Sequence, residues 1–430
     1  MMILDTAVFC WLSIWAWRAL VRFRDGNGGA IDAVIVAHFG LFGVPLALDA
    51  FIGLPEYAGQ PGLRMPAADP STRILYALFV AACPLIWRFT GRGALRPLRL
   101  HPRPHDVDTL RRLRVTCVLL ALLPLGLVAL SPERSAYLTY ASVVRGRLTD
   151  AGGDWHGLVA SAALVSVLAV AILLSSYGRV GGAGWILALS SIATSCWIFG
   201  KRTLVAIALV ALGYVLWSQG LLRGKRLYAA AVAGAAALLV YSSFYQGRVR
   251  FADDPALLGP TLDPYGGFRT DFFRDDRVKL AMFVELEPAA TRILEFRGQS
   301  LLYDLTFFVP RSIWPDKPWP YAVYFTSATY DIVPPRPLGW GMTTSWLDEA
   351  IANFGWLGLL LGPLLLSGLC RIGDAFRWAP LNVLTILVVV LLLAVQLSAF
   401  LGLFLLWLLL VIFARLELRG RIAGGAEPAD

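Results

Sequence analysis

Three stretches of this chain carry polar side chains of a kind that can move a proton or hold a charged group. The first is TTSWLDEAIANFGWLG, Thr343 to Gly358. At about 100° per residue, Glu349 and Asn353 share a helix face, whereas Gly355, Gly358 and Gly362 gather on the opposite face as a close-packing surface. An acidic group just inside an apolar helix is costly, so Glu349 requires a partner or a water-filled cavity. Two uses fit: a functional carboxylate, or a structural ion pair with a loop arginine. A position at the outer end of the helix lowers the cost. Asp348 has a plainer role, because Ser345 three residues ahead of it makes a capping box.

The second stretch is FVPRSIWPDKPW, Phe308 to Trp319, with Arg311, Asp316 and Lys317 flanked by Trp314 and Trp319. Aromatic faces accept the apolar faces of sugar rings, and Arg and Lys hold phosphate oxygens, Arg bidentately. Trp340, a little further on, is a third aromatic candidate. The same composition also suits a loop lying at a membrane interface. The third stretch is Gly200, Lys201, Arg202 and Thr203, between two apolar runs. A helix amino terminus there, with Thr203 as a cap, would present amides beside two cations and suit a diphosphate. Side chains snorkelling to the interface are the alternative.

Other polar groups offer less. His38 and Asp49, eleven residues apart in one apolar run, share a helix face and make a thin proton relay. His101 and His105 sit in an arginine-rich loop and look solvated. No phosphate-binding loop, dinucleotide fingerprint, zinc-protease motif or nucleophile elbow with its partners occurs. The five cysteines, Cys10, Cys83, Cys117, Cys196 and Cys370, lie in or at the ends of apolar runs without CxxC spacing, which argues against disulfides and zinc.

The elements that must position these residues are membrane helices. The chain has 430 residues, 57% of them hydrophobic and 16% charged, a balance that excludes a water-soluble domain. Its apolar runs approach the roughly 20 residues needed to cross a bilayer and lack the alternation of barrel strands. The fold class is therefore an all-α polytopic membrane protein with about eleven spans (range about 10–12). They fall near residues 2–20, 31–54, 73–90, 115–130, 157–177, 182–200, 203–222, 227–246, 346–370, 379–396 and 398–415, the last two divided near Gln396 to Ser398. The net charge of +9 reflects arginines and lysines in the loops, a topology signal and not a nucleic-acid surface.

Arg88 to Arg114 holds eight arginines against two aspartates, and Arg223, Lys225, Arg226, Arg371, Arg377, Arg415, Arg419 and Arg421 lie at span ends on the same side. That side is cytoplasmic by the positive-inside trend. The amino terminus is then outside and the carboxyl terminus inside. The first run carries its arginines after the apolar stretch, opposite to a secretory signal, and is read as a retained span. Three regions follow: residues 1–246 with the first eight spans, an external segment at 247–345, and residues 346–430 with the last three spans. A connection of about a hundred residues is too long to be passive, and its prolines, from Pro310 to Pro337, forbid a continuous helix. Residues 131–156 form a second external loop. No internal repeat is visible, so the inverted-repeat plan of many transporters gains no support.

On FVPRSIWPDKPW, on the Gly339-to-Gly358 stretch with Glu349 and the NFG of Asn353 to Gly355, on the GKR of Gly200 to Arg202, and on the plan of many spans with one large late loop, the chain resembles the bacterial oligosaccharide repeat-unit polymerases, the O-antigen and exopolysaccharide polymerase family. The resemblance implies a metal-independent, cofactor-free glycosyl transfer on the outer face of the bacterial inner membrane. A glycan on undecaprenyl diphosphate is the implied donor, and a sugar hydroxyl of another lipid-linked unit the acceptor. Such chemistry needs cations where diphosphate charge accumulates and a base for the hydroxyl. The implied diphosphate ligands are Lys201, Arg202, Arg311 and Lys317, with Arg145 and Arg147 in the other external loop. Glu349 is the implied base, oriented by Asn353, and Trp314, Trp319 and Trp340 the sugar contacts. A flippase and a chain-length regulator are the implied protein partners.

Glycan ligases share the many-span plan, so the reaction is not settled by fold. A transporter or flippase of an anionic lipid-linked glycan stays open as a different class, as does a scaffold in a polysaccharide assembly system.

Overall fold

Backbone groups in hydrocarbon find no water to bond, which leaves helices as the form for isolated apolar runs. The computed structural model describes residues 1–91, 107–140, 150–175, 181–245, 264–287, 289–338, 341–376 and 379–423, and among them it is helical with no β-strand. The helices are α1 (Met2–Arg24), α2 (Ala30–His38), α3 (Val44–Phe51), α4 (Pro61–Ala68), α5 (Pro70–Gly91), α6 (Val107–Ala129), α7 (Asp150–Ser175), α8 (Gly182–Phe199), α9 (Arg202–Ser218) and α10 (Lys225–Tyr245). The segment after α10 contributes α11 (Pro264–Phe272), α12 (Asp275–Leu286), α13 (Gln299–Leu305) and α14 (Tyr321–Thr329). The chain ends with α15 (Trp346–Phe354), α16 (Gly358–Asp374), α17 (Ala379–Ala394) and α18 (Leu401–Ala423).

Among the described residues, six stretches are long and apolar enough to cross a bilayer: Met2–Arg24, Ala30–Phe51, Pro70–Gly91, Trp155–Ser175, Trp346–Asp374 and Leu397–Leu416. Shorter apolar helices lie at Arg114–Ala129, Gly184–Phe199, Thr203–Ser218 and Leu381–Ala394. By length and composition, this is an α-helical membrane protein. The long apolar stretch near the carboxyl terminus breaks after Ala394, and a 3-10 turn at Leu397–Phe400 leads into α18.

Side-chain bonds tie the helix ends into two groups. Trp217 Nε1 donates to the Phe23 carbonyl at 2.6 Å, Gln219 Nε2 to Leu174 at 2.7 Å, and the Ala30 amide to the Asp374 carboxylate at 3.1 Å. These join the turns after α1, α7, α9 and α16. At opposite helix ends, Arg73 at the start of α5 pairs with Asp5 of α1 at 2.7 Å, while the Tyr140 hydroxyl meets that of Tyr241 on α10 at 2.5 Å and the Gly200 carbonyl at 3.4 Å.

Two elements depart from simple crossing. Trp346–Asp374, expected as one span, is a hairpin. A straight helix would hold residues 346 and 362 roughly 24 Å apart, yet Trp346 Nε1 donates to the Gly362 carbonyl at 3.1 Å. The chain reverses at Gly355, whose φ of +61° is open to glycine without strain. A Cβ on Gly358 would lie 2.2 Å from the Ala350 carbonyl oxygen, and one on Gly362 would lie 3.2 Å from Ala350 Cβ. The glycines expected to pack against a neighbouring helix thus pack α16 against α15 itself.

The second departure is α11–α12. Between them, the Arg274 amide donates to the Leu41 carbonyl at 3.0 Å, and its Nε to Ala394 at 2.7 Å. Leu41 lies about ten residues, roughly 15 Å, from either end of the Ala30–Phe51 stretch. A segment expected to stay outside therefore dips into the helix bundle. Its docking point is the π-helical turn Phe39–Gly43, where the widened ladder frees carbonyls: Tyr76 donates to Phe42 at 2.7 Å beside the Arg274 contact.

Candidate functional site

Ser345 starts α15 as its cap. Its amide donates to Asp348 Oδ1 at 2.7 Å, the Asp348 amide returns a bond to Ser345 Oγ at 3.5 Å, and the capping box expected from the sequence is formed. With the helix start fixed inside the bundle, the next residue, Glu349, is also buried, at 1% exposure. The reversal at Gly355 encloses it by folding α15 back against α16. Among the described residues no arginine pairs with it; Ser300 Oγ of α13 donates to Glu349 Oε1 at 2.8 Å.

Asn353, one turn along α15, completes the arrangement. Its Nδ2 donates to Ser300 Oγ at 2.8 Å and to the Glu349 carbonyl at 2.8 Å. The shared helix face read from the sequence is thus occupied by one hydroxyl that bonds both residues. Among the described residues, Glu349 Oε2, Asn353 Oδ1 and both oxygens of Asp304 are buried and have no hydrogen-bond partner. Asp304 stands four residues after Ser300 on α13, hence on the same face. Burial pushes its carboxyl up to about 7. Neither Ser300 nor Asp304 was singled out in the sequence. The four-residue spacing in QSLLYDL was the available signal, but a seven-residue helix among loops gives no periodicity to read.

Arg311, Lys317 and Trp319 assemble on the adjoining face of α13. The Arg311 guanidinium lies 3.4 Å from the centre of the Trp319 ring and donates to the carbonyls of Pro315 at 3.2 Å and Pro318 at 2.8 Å. The Lys317 ammonium is buried, donating to Phe307 and Val309 carbonyls at 2.9 and 3.0 Å, 4.8 Å from the Tyr303 ring centre. Lys317 thereby closes the proline-rich loop, while Arg311 and the half-buried Trp314 and Trp319 stay partly accessible. Tyr303 precedes Asp304, so α13 carries the carboxyl cluster and the cation–aromatic cluster on neighbouring faces.

Lys201 is not part of that assembly. It is exposed and serves as the N-cap of α9, beside Gly200 and the Tyr140–Tyr241 pair. Thr203, expected as the cap, lies inside the helix. Arg145, Arg147, Trp340 and the side chain of Arg202 lie outside the described residues.

His38 and Asp49 separate. The π turn between them adds a residue to the register and removes the shared face. His38 packs edge-on to Trp87, at 4.9 Å between ring centres, and stacks on Phe42. Asp49 enters a buried ionic network: Arg269 Nη1 to Asp49 at 2.6 Å, Arg269 Nη2 to Asp275 at 2.6 Å, and Lys279 Nζ to Asp49 and Asp275 at 2.9 and 2.8 Å. Arg277 pairs with Asp276 and donates to the Thr343 carbonyl at 3.0 Å, joining α12 to the start of α15. This network also went unread. Its signal was FRTDFFRDDRVKLAMF, where charges interleave with apolar residues and Asp275 precedes Lys279 by four.

Among the described residues no group of three or more His, Cys, Asp or Glu side chains is placed to hold a metal ion. The fold and site define a helical membrane protein with a buried carboxyl–amide cluster beneath a cation–aromatic loop. Compared with protein-family models, with curated proteins and with solved structures, the chain finds no match.

Proposed function

We propose that this protein joins lipid-linked oligosaccharide units: a glycan on undecaprenyl diphosphate is transferred to a sugar hydroxyl of another unit at the outer face of a bacterial inner membrane. The observation that carries this reading is the adjacency on α13 of two complementary groups. One is a buried carboxyl–hydroxyl–amide cluster at Glu349, Ser300 and Asn353; the other is Arg311 stacked on Trp319. Glycosyl transfer needs a proton acceptor near the attacking hydroxyl and positive charge near the departing diphosphate. The carboxyls gathered there, Glu349 with Asp304 of α13 beside it, supply the acceptor. Arg311 supplies charge, and Trp319 and Trp314 supply faces for sugar rings. Lys201 and Arg202 remain candidates for diphosphate contact during approach.

The topology proposed with this function has eleven crossings: α1, α2–α3, α5, α6, α7, α8, α9, α10, the α15–α16 hairpin, α17 and α18. The amino terminus is outside, the carboxyl terminus cytoplasmic, and α13 and α14 outside. Arg22, Arg24, Arg223 and Arg371 at one set of helix ends support this direction.

The test is reconstitution of the purified protein in liposomes with an undecaprenyl-diphosphate oligosaccharide of the host's own repeat, with a chelator present. The expected product is a glycan ladder, lost with Glu349→Ala and with Arg311→Ala. A ladder undiminished by Glu349→Ala would overturn the assignment of the site. A second reading, movement of the lipid-linked glycan between leaflets, is favoured by α12 and α15 starting inside the bundle beside a buried ionic network, a feature shared with transporters. Translocation without polymer in the same liposomes would select it.

A further inference from the structure

Four buried acceptor oxygens on Glu349, Asn353 and Asp304 have no hydrogen-bond partner among the described residues. The Ser300 hydroxyl donates its one hydrogen bond to Glu349 Oε1, and the bonds of Asn353 Nδ2 go to Ser300 and to the α15 backbone. Glu349 Oε2, Asn353 Oδ1 and both Asp304 oxygens stay unpartnered. Asp304 and Glu349 interact electrostatically. Two neighbouring carboxyls this far from water cannot both ionise, because each charge is desolvated and repels the other. One retained proton removes a charge and gives an acceptor oxygen its missing donor.

The two members are not equivalent. Glu349 is 1% exposed and fixed by Ser300; Asp304 is 8% exposed, is unbonded among the described residues, and lies in the last turn of α13 ahead of the loop that carries Arg311. We propose that Asp304 and Glu349 form a pair sharing one proton, with Glu349 holding it and Asp304 the ionised member that faces the substrate as the catalytic base. In the transfer, the acceptor hydroxyl gives its proton to Asp304 and its oxygen bonds to the donor sugar's C1. The bond from C1 to the diphosphate oxygen breaks, and its electron pair leaves on the diphosphate. Glu349 acts through Asp304 and is a positioning residue. The catalytic half of this inference rests on the function proposed above; the proton-sharing half does not.

The groups facing the pair are few. Asp348 on α15 is engaged by Ser345, and Tyr321 on α14 lies near both acids of α15. Tyr303 beside Asp304 lies under Lys317, and the Leu397 backbone approaches Glu349 from the α17–α18 turn. Arg297, ahead of α13, is taken by Glu285 at 2.7 Å and by the Ala352 carbonyl at 2.8 Å. No cation among these bonds either member of the pair.

The test combines two readouts on the full chain in liposomes. Infrared difference titration without substrate, between about pH 5 and about pH 9, should show a protonated-carboxyl band persisting well above the ordinary carboxylate range. In an Asp348→Asn background, which removes a third buried carboxyl with an unpartnered oxygen, the band should remain, and adding Asp304→Asn or Glu349→Gln should abolish it, since an amide then donates to the remaining acid. A band absent from wild type, or surviving in either pair variant, overturns the shared proton. On the host's lipid-linked glycan, Asp304→Asn should slow polymer formation by about 10²–10⁴-fold, with Asp304→Glu recovering part of it. A titrating pair with a full-rate Asp304→Asn ladder overturns the role of Asp304 as base. A titrating pair in a protein that makes no ladder at all leaves the pair standing and overturns the polymerase reading instead.

Discussion

Single side chains here are held by what they cannot find as much as by what they bond. Among the described residues Asp304 has no donor, and burial lifts its carboxyl to about 7. Because its folded value is raised, the folded protein binds more protons than the unfolded chain between the ordinary carboxylate range and about pH 7. Its contribution to stability is therefore greatest in acid and is lost as pH rises through that window. Thermal unfolding in detergent should occur at a lower temperature at about pH 8 than at about pH 5.5, and Asp304→Asn should flatten the difference. A wild-type profile that rises with pH would refute this account of Asp304. Arg311 illustrates the opposite case, a cation with an over-determined pose. A guanidinium stacks flat on an indole while donating in two directions, which an ammonium cannot reproduce. Arg311→Lys should therefore lower the rate of polymer formation by about tenfold or more, the scale of a lost cation–π contact of about 1–2 kcal/mol. Unfolding temperature should hardly move, because Lys317 closes the loop.

At the scale of elements, the two inward-turning helices explain both what the sequence revealed and what it hid. The apolar runs, the capping box at Ser345 and the break before α18 were legible because hydrophobic length and local capping are written in neighbouring residues. The folding back of α15 was not, since the run from Trp346 to Asp374 is on average apolar enough to look like one long crossing. Only Gly355, Gly358 and Gly362 mark the reversal, and glycines in an apolar helix equally suit contact with another helix. Likewise the network of Asp49, Arg269, Asp275 and Lys279 joins residues more than two hundred positions apart, beyond any local pattern. Gly358→Ala should be strongly destabilising, because the added methyl meets the Ala350 carbonyl and a nearby backbone cannot yield as a side chain would. The expected loss is about 1–3 kcal/mol or more, read by thermal unfolding, whereas Gly368→Ala, which meets nothing within 4 Å, is the neutral control. Arg269→Ala should cost about 3–5 kcal/mol, since it strips one partner from two buried carboxylates and leaves Lys279 to serve both. Equal behaviour of the two glycine variants would refute the packed hairpin.

At the scale of the whole molecule, one directional claim connects the site to a compartment. The helix ends at Arg22, Arg24, Arg223 and Asp374 are joined by side-chain bonds, and the loop of Arg311 belongs with the outward ends of α13 and α15. If basic residues face the cytoplasm, the carboxyl cluster and Arg311 open to the exterior, where flipped lipid-linked glycans would meet them. Reversing the molecule would place the same site where no such substrate waits, so topology is a test of function and not only of fold. Single cysteines can be placed at Asp316 and Lys201, both exposed, and at Arg223, in a background with the five native cysteines replaced. A membrane-impermeant thiol reagent applied to intact spheroplasts should modify the first two and spare the third until the membrane is opened. The expectation at Lys201 is the most exacting, because it needs an even number of crossings between that turn and the loop of Arg311. In the proposed order these are α9 and α10 alone, with the α11–α12 dip entering and leaving by the same face. Labelling at Asp316 with protection at Lys201 would mean that one of those helices does not cross, or that the dip does, and the eleven-crossing order would fall.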